Sequence, residues 1–220
     1  MTARVGIVVF PGTNCEHDVA DAVCRAGGQP ELLWHADASI RGVDAVVLPG
    51  GFAHGDYLRT GAIARFSPVM SAVAELARAG GPVLGICNGF QVLCEAGLLP
   101  GALRRNAGLR FLCQIVDVDV VSTANVLASR CEIGDRLKLP VNHFEGNYAV
   151  DGETAAAMVD RGQVVLRYVD NPNGAMLDAA GVCNEAGNVV GLMPHPERAS
   201  HPLLGSTDGS RLFAGLLAAV

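Results

Sequence analysis

The N-terminal half of the chain alternates short, nearly continuous apolar runs with helix-length segments, and Gly or Pro punctuates almost every join. Residues 4–10 (RVGIVVF) carry β-branched side chains with no polar alternation, the composition of a strand covered on both faces. Pro11-Gly12-Thr13-Asn14 stops that run and offers an N-cap for a helix that reaches about Ala26 and ends at Gly27-Gly28. Residues 30–34 and Ala45–Leu48 predict two further strands, the second closed by Pro49-Gly50-Gly51. A helical pattern over residues 61–79 ends at Gly80-Gly81, and Val83–Ile86 predicts a short strand. Strand and helix in this order, with short joints, predict a doubly wound, mostly parallel α/β sheet of the flavodoxin-like kind, with helices on both faces.

The second half is less regular. Residues 114–121, 136–141, 163–169 and 189–193 predict strands, several of them in a hairpin-rich extension, and residues 208–219 a closing helix. No repeat, low-complexity run or linker divides the chain, so residues 1–220 are expected to form a single domain. Half of the residues are hydrophobic and 17% are charged, which argues against disorder. The net charge of −6 and the lack of a Lys/Arg block argue against a nucleic-acid partner. No apolar run approaches membrane-spanning length and no leader-like order opens the chain, so the expected location is the cytoplasm, with no membrane partner. Seven cysteines without C-x-x-C pairs fit neither a disulfide framework nor a zinc site, and no metal centre is expected. Most should be small buried hydrophobes, Cys94 among them.

Cys87 stands apart. Gly85-Ile86-Cys87-Asn88-Gly89 joins an apolar strand to a helical pattern over residues 88–96. That is the layout of a nucleophile elbow, with Cys as the nucleophile. The turn strains the backbone at the nucleophile, and flanking glycines let strand and helix approach closely. A helix N-terminus favours a thiolate and supplies N–H groups to an oxyanion. The pentapeptide by itself is also compatible with a buried cysteine lying between two glycines.

A thiolate needs a base, and the base an orienting partner. Pro194-His195-Pro196-Glu197 follows the apolar run that ends near Met193. Pro196 disfavours helical angles at His195, so the segment is expected to stay extended, with His195 and Glu197 on one side. A strand-ending proline turn with a surface histidine is the plainer alternative. The Pro49-Gly50-Gly51-Phe52 loop should share the carboxyl edge of the sheet with Cys87. The N–H groups of Gly51 and Asn88 would then form a two-donor oxyanion hole, although the loop alone reads as an ordinary turn.

Together these motifs resemble the class I, triad-type glutamine amidotransferases: a Gly-Gly loop, a G-x-C-x-G elbow with Gln91 four residues after Cys87, and a late His-Pro-Glu. Within that family, the chain is similar to the branch that serves phosphoribosylformylglycinamidine synthase in purine biosynthesis. The similarity lies in Phe10–Cys15, Pro49–Phe52 with Gly55–Arg59, Gly85–Gln91, Asn171–Gly174 and Met193–Arg198, and extends over nearly the whole chain. The resemblance implies that Cys87 attacks the glutamine side-chain amide, His195 shuttles the proton and Glu197 orients His195. It also implies substrate contacts at Gln91, one helical turn beyond Cys87, and at Gly50. Ammonia would pass to a large synthase subunit holding ATP, magnesium and formylglycinamide ribonucleotide, with no cofactor in this chain; a small bridging subunit is left open. Two positions depart from the branch: His54, where an aromatic residue is usual, and Phe144, where glycine is usual. Cys15, in a family-like motif with no base or acid evident beside it, is expected to be structural or interfacial. Two other readings compete, a deglycase-like cysteine hydrolase and a docking subunit without catalysis. The first would place histidine directly after the nucleophile, where Asn88 stands, and the second predicts a damaged triad.

Overall fold

The computed structural model describes residues 2–220. Eleven strands and five α-helices follow one another as β1 (Arg4–Val9), α1 (Glu16–Arg25), β2 (Gln29–Trp34), β3 (Ala45–Leu48), α2 (Val69–Arg78), β4 (Val83–Ile86), α3 (Asn88–Glu95), β5 (Ala102–Arg104), β6 (Leu112–Val120), β7 (Arg136–His143), β8 (Asn147–Ala149), α4 (Gly152–Asp160), β9 (Val164–Tyr168), β10 (Ala179–Cys183), β11 (Val189–Leu192) and α5 (Asp208–Ala218). Nine strands form one sheet in the order β2-β1-β3-β4-β11-β10-β9-β6-β7, and β5 pairs with β8 apart from it. The first five run parallel and the remainder antiparallel, so the strand-rich second half extends the same sheet. The strand order reverses after β2, so the crossover carrying α1 and the one carrying α2 run in opposite directions from β1, and α5 packs back beside α1.

The apolar runs of the sequence become the central strands. Every residue of β3, β4 and β11 is buried, as a strand covered on both faces requires. The register sets the site: Leu48 of β3 pairs with Gly85 of β4, and Ile86 of β4 pairs with Leu192 of β11. Three neighbouring parallel strands therefore end together, and the loops that leave them share one edge.

Several expectations shift. The helix expected over residues 61–79 is shortened to α2, with a 3₁₀ turn at Ala64–Phe66 before it. Pro68 is the cause, because it lacks an N–H and disfavours helical angles at Ser67. Thr13 and Asn14 do not cap α1; Cys15 occupies the N-cap without a side-chain bond, while the Thr13 hydroxyl accepts from the Phe10 N–H at 2.9 Å. Strand β10 and helix α4 are not among the expected elements, since Ala179–Cys183 is mostly Ala and Gly and the Ala run within Gly152–Asp160 leaves little periodicity. Cys15, Cys87, Cys131 and Cys183 are buried, but Cys24 and Cys113 are exposed and Cys94 lies between.

Candidate active site

Cys87 occupies a sharp strand-to-helix turn. Its backbone has φ 50° and ψ −103°, a conformation costly for a residue with a Cβ, and its N–H donates to Leu192 O at 2.8 Å. The flanking glycines are required by close approach. A Cβ at Gly89 would overlap the carbonyl oxygen of Leu48, and one at Gly85 would lie 2.6 Å from Leu93 Cδ1. The elbow is thus a junction where β3, β4 and α3 touch backbone to backbone, with the Cys87 sulfur 3.8 Å from the carbonyl oxygen of Asn142.

His195 arrives from the end of β11, the strand beside β4, and its N–H donates to Pro140 O at 2.8 Å. Its Nδ1 donates to Glu197 Oε1 at 2.6 Å, with both side chains almost wholly buried. The pairing matches the expectation by a different geometry: the chain turns into a 3₁₀ helix at Pro196–Ala199 and does not run on extended. Because a carboxylate only accepts, Nδ1 carries a proton toward Glu197, while Nε2 is buried without a hydrogen-bond partner. Burial disfavours the charged ring, but the Glu197 carboxylate and the nearby Cys87 and Cys15 thiols outweigh it and hold the imidazole pKa well above its ordinary value.

Cys15 overturns an expectation. Its side chain, with those of His195 and Glu197, contributes one of three donor atoms lying within 4.8 Å of one another, and Arg198 Nη2 sits 3.2 Å from its sulfur. A base, an acid and a guanidinium therefore surround a thiol that the sequence left alone. The missing signal was topological: β1 neighbours β3, so the loop after β1 meets the Gly50-Gly51 loop. The N–H groups of Asn14 and Cys15 both donate to Gly50 O. Three such atoms can hold a metal ion, but the Arg198 cation against the sulfur opposes one.

The Gly-Gly loop is shaped by contact. A Cβ on Gly50 would lie 2.7 Å from His195 Cε1, so this glycine makes room for the imidazole. A Cβ on Gly51, at φ 153°, would lie 2.7 Å from backbone atoms of Gly12, Thr13 and Asn14. Among the described residues its N–H donates to no backbone or side-chain acceptor, leaving it available on the edge of the site. Asn88 ties this loop to the elbow: its Oδ1 accepts from the Ala53 N–H at 3.0 Å, and its Nδ2 donates to Gln91 Oε1 at 2.9 Å. Gln91 Nε2 in turn donates to Glu145 O at 2.6 Å.

A cavity of about 370 Å³ opens above these groups, lined by Cys15, Gly51, Asp56, Cys87, Gln91, Arg105, Asn142, His143, Glu145, His195 and Arg198 among others. It gathers Gly51, Cys87, Gln91 and His195 from the sequence-derived site, whereas Gly50, Asn88 and Glu197 do not line it. Burial and the Glu145 carboxylate raise the Asp56 pKa to about 6, against a hydrogen bond from Asn88. His143 is buried, and burial with the neighbouring His195 lowers its pKa to about 4. Buried thiol, imidazole and carboxylate in series, beside free N–H groups at a helix start, suit acyl transfer through a thioester.

The fold and this constellation define a triad-type amidotransferase, and comparison with known proteins agrees: residues 2–210 match the CobB/CobQ-like glutamine amidotransferase domain, and the chain belongs to that family. At finer grain it is 60% identical over 215 residues to the phosphoribosylformylglycinamidine synthase subunit PurQ of Rubrobacter xylanophilus, covering 98% of each chain. The PurQ of Chlorobaculum tepidum is 55% identical over 224 residues, covering 97% of this chain and 96% of the other. The solved structure of PurLQS from Thermotoga maritima matches with a TM-score of 0.92 at 40% identity, covering 99% of both chains.

Proposed function

We propose that the chain hydrolyses glutamine to glutamate and ammonia as the glutaminase subunit of a phosphoribosylformylglycinamidine synthase, and that Cys87 is its nucleophile. The observation that carries the catalytic assignment is the strained Cys87 turn set beside a buried His195–Glu197 pair at 2.6 Å, on strands that end together. His195 takes the thiol proton through Nε2, and the thiolate sulfur bonds to the glutamine carboxamide carbon. The carbonyl π pair moves onto oxygen, where the Gly51 and Asn88 N–H groups receive it. On collapse the C–N bond breaks, its electron pair takes the proton from His195, and ammonia leaves a glutamyl thioester. Water then adds to the thioester and gives its proton to His195. The C–S bond breaks, and glutamate and the thiol are restored. Glu197 holds the imidazole in the productive tautomer throughout. Gln91 bounds the substrate pocket, and Gly50 serves it by admitting the imidazole.

Likeness to PurQ subunits, and to a chain solved in PurLQS, supports a large synthase subunit as the partner that receives the ammonia and amidates formylglycinamide ribonucleotide. We assign ATP and magnesium to that partner, and allow a small bridging subunit. Residues 1–220 act as one glutaminase domain, working in the cytoplasm. Among the described residues no helix is long and apolar enough to cross a membrane.

Cys15 offers a second reading, since it also neighbours His195. Its backbone, at φ −108° and ψ 12°, lacks the strain of Cys87, and Arg198 already engages its sulfur. Glutamate release measured with the synthase present decides between the two. Cys87→Ser abolishes it with assembly retained, whereas Cys15→Ser keeps it. Full activity in Cys87→Ser overturns the mechanism.

A further inference from the structure

His143 ends β7, directly after the residue whose carbonyl oxygen lies 3.8 Å from the Cys87 sulfur. Its protonation is fixed by its neighbours. Asn106 Nδ2 donates to Arg110 O at 2.8 Å and to His143 O at 3.0 Å, two groups that only accept, so the amide orientation is settled. Asn106 Oδ1 must then be the acceptor, and it takes the Gly146 N–H at 3.0 Å and His143 Nδ1 at 3.1 Å. His143 therefore carries its proton on Nδ1, and Nε2 is a bare lone pair. That nitrogen is buried without a hydrogen-bond partner, in a side chain 3% exposed that lines the same cavity as Cys87 and His195. A buried acceptor left empty costs stability unless something else satisfies it.

The walls of the cavity differ in polarity. Gly51, after β3, lines the cavity with an N–H that has no acceptor, with Asn88 behind it at the start of α3, whereas Asn142 and His143, at the end of β7, line it beside the Cys87 sulfur with a carbonyl oxygen and a ring whose Nε2 has no partner. A primary carboxamide has the complementary pattern, an accepting oxygen and a donating NH₂. We propose that His143 Nε2 accepts a hydrogen bond from the nitrogen of the scissile carboxamide and keeps it as that nitrogen departs as ammonia. This makes His143 a catalytic residue for the leaving group, on the reading that Cys87 cleaves glutamine. The same acceptor disfavours the product carboxylate, whose second oxygen would face a lone pair, and so helps glutamate to leave. Burial keeps the ring neutral, so it holds the nitrogen without surrendering a proton to ammonia.

The test compares two substrates of the complex with the synthase, glutamine and glutamate γ-methyl ester, whose leaving group carries no N–H. His143→Asn retains a donor toward Asn106 but withdraws the acceptor from the position of Nε2. We expect kcat/KM for glutamine to fall about tenfold to a hundredfold while the ester changes by less than about twofold, with His143→Gln recovering part of the loss. Equal losses on both substrates, or no loss on glutamine, overturn the proposal. The underlying reading is checked separately, because the unmodified complex must cleave both substrates and Cys87→Ser neither.

Discussion

His143 and His195 are neighbouring imidazoles whose pKa values are moved in opposite directions, and the contrast comes from what faces each ring. His195 donates to a buried carboxylate, which lifts its pKa, whereas His143 meets an amide oxygen and burial, which depress its own to about 4. Stability then depends on pH in a defined sense. An unfolded histidine takes up its proton near pH 6.5, but folded His143 resists until about pH 4. Its contribution is fully present above pH 6.5 and is lost as pH falls through that window, up to about 3 kcal/mol. Chemical denaturation of the wild type and of His143→Asn at pH 7 and pH 4 is expected to show the variant losing less stability on acidification; parallel losses would remove His143 as the cause. His195, whose pKa is raised, acts on the other side of pH 6.5, so the two do not mask each other. At this scale the sequence exposed Cys87, His195 and Glu197, because each sits in a short motif whose backbone chemistry is local. It hid Cys15 and His143, because their chemistry depends on Arg198 and Asn106, partners 183 and 37 residues away.

The element that decides the site is the β4–α3 junction, where two glycines replace side chains that would separate strand from helix. The sequence supports this junction fully: Val83–Ile86 and the start of α3 emerge where the apolar run and the Gly pattern put them. A Cβ at Gly89 would meet the Leu48 carbonyl oxygen, a backbone atom that cannot rotate away. Gly89→Ala is expected to destabilise the fold by about 3 kcal/mol or more, because β3 must move off α3. Gly108→Ala, where nothing lies within 4 Å of the added methyl, is the control, expected within about 0.5 kcal/mol of wild type. Denaturant midpoints compare the two, and equal midpoints would show that the junction is looser than its geometry. Elsewhere, elements with strong period or clear punctuation were legible to within a residue or two, as in β1, β3, β11 and α5. Those without it were not: β10 is built as Ala-Ala-Gly-Val-Cys, whose small side chains fit beside β9 and β11 but carry no pattern of their own.

Across the whole molecule, the site is assembled from loops leaving β1, β3, β4, β7 and β11, and the tip of the loop after β3 is exposed and strained. The segment after Gly51 places His54, Asp56 and Leu58 at positive φ, each costing roughly 1 kcal/mol for a residue with a Cβ. Tyr57 and Leu58 are 74% and 90% exposed, so little packing offsets that cost. Its ties to the catalytic junction are the Ala53 N–H on Asn88 Oδ1, a longer 3.3 Å contact from Asn88 to Asp56, and at its far end the exposed Arg59 paired with Glu95 of α3 and Thr60 donating to Glu145. A loop with few buried contacts opens easily, and here it carries the Gly51 N–H proposed to meet the oxyanion. Docking of the synthase is expected to narrow the loop's ensemble around the productive geometry, so that ammonia is released only when an acceptor is at hand. The free chain should then hydrolyse glutamine about tenfold or more slowly than the complex, chiefly in kcat, because chemistry and not binding awaits the loop. Hydrogen exchange at residues 52–60 should slow when the synthase is added. Free-chain turnover equal to that of the complex, with exchange in this segment unchanged, would mean that the loop's own ties to α3 and Glu145 preset the site.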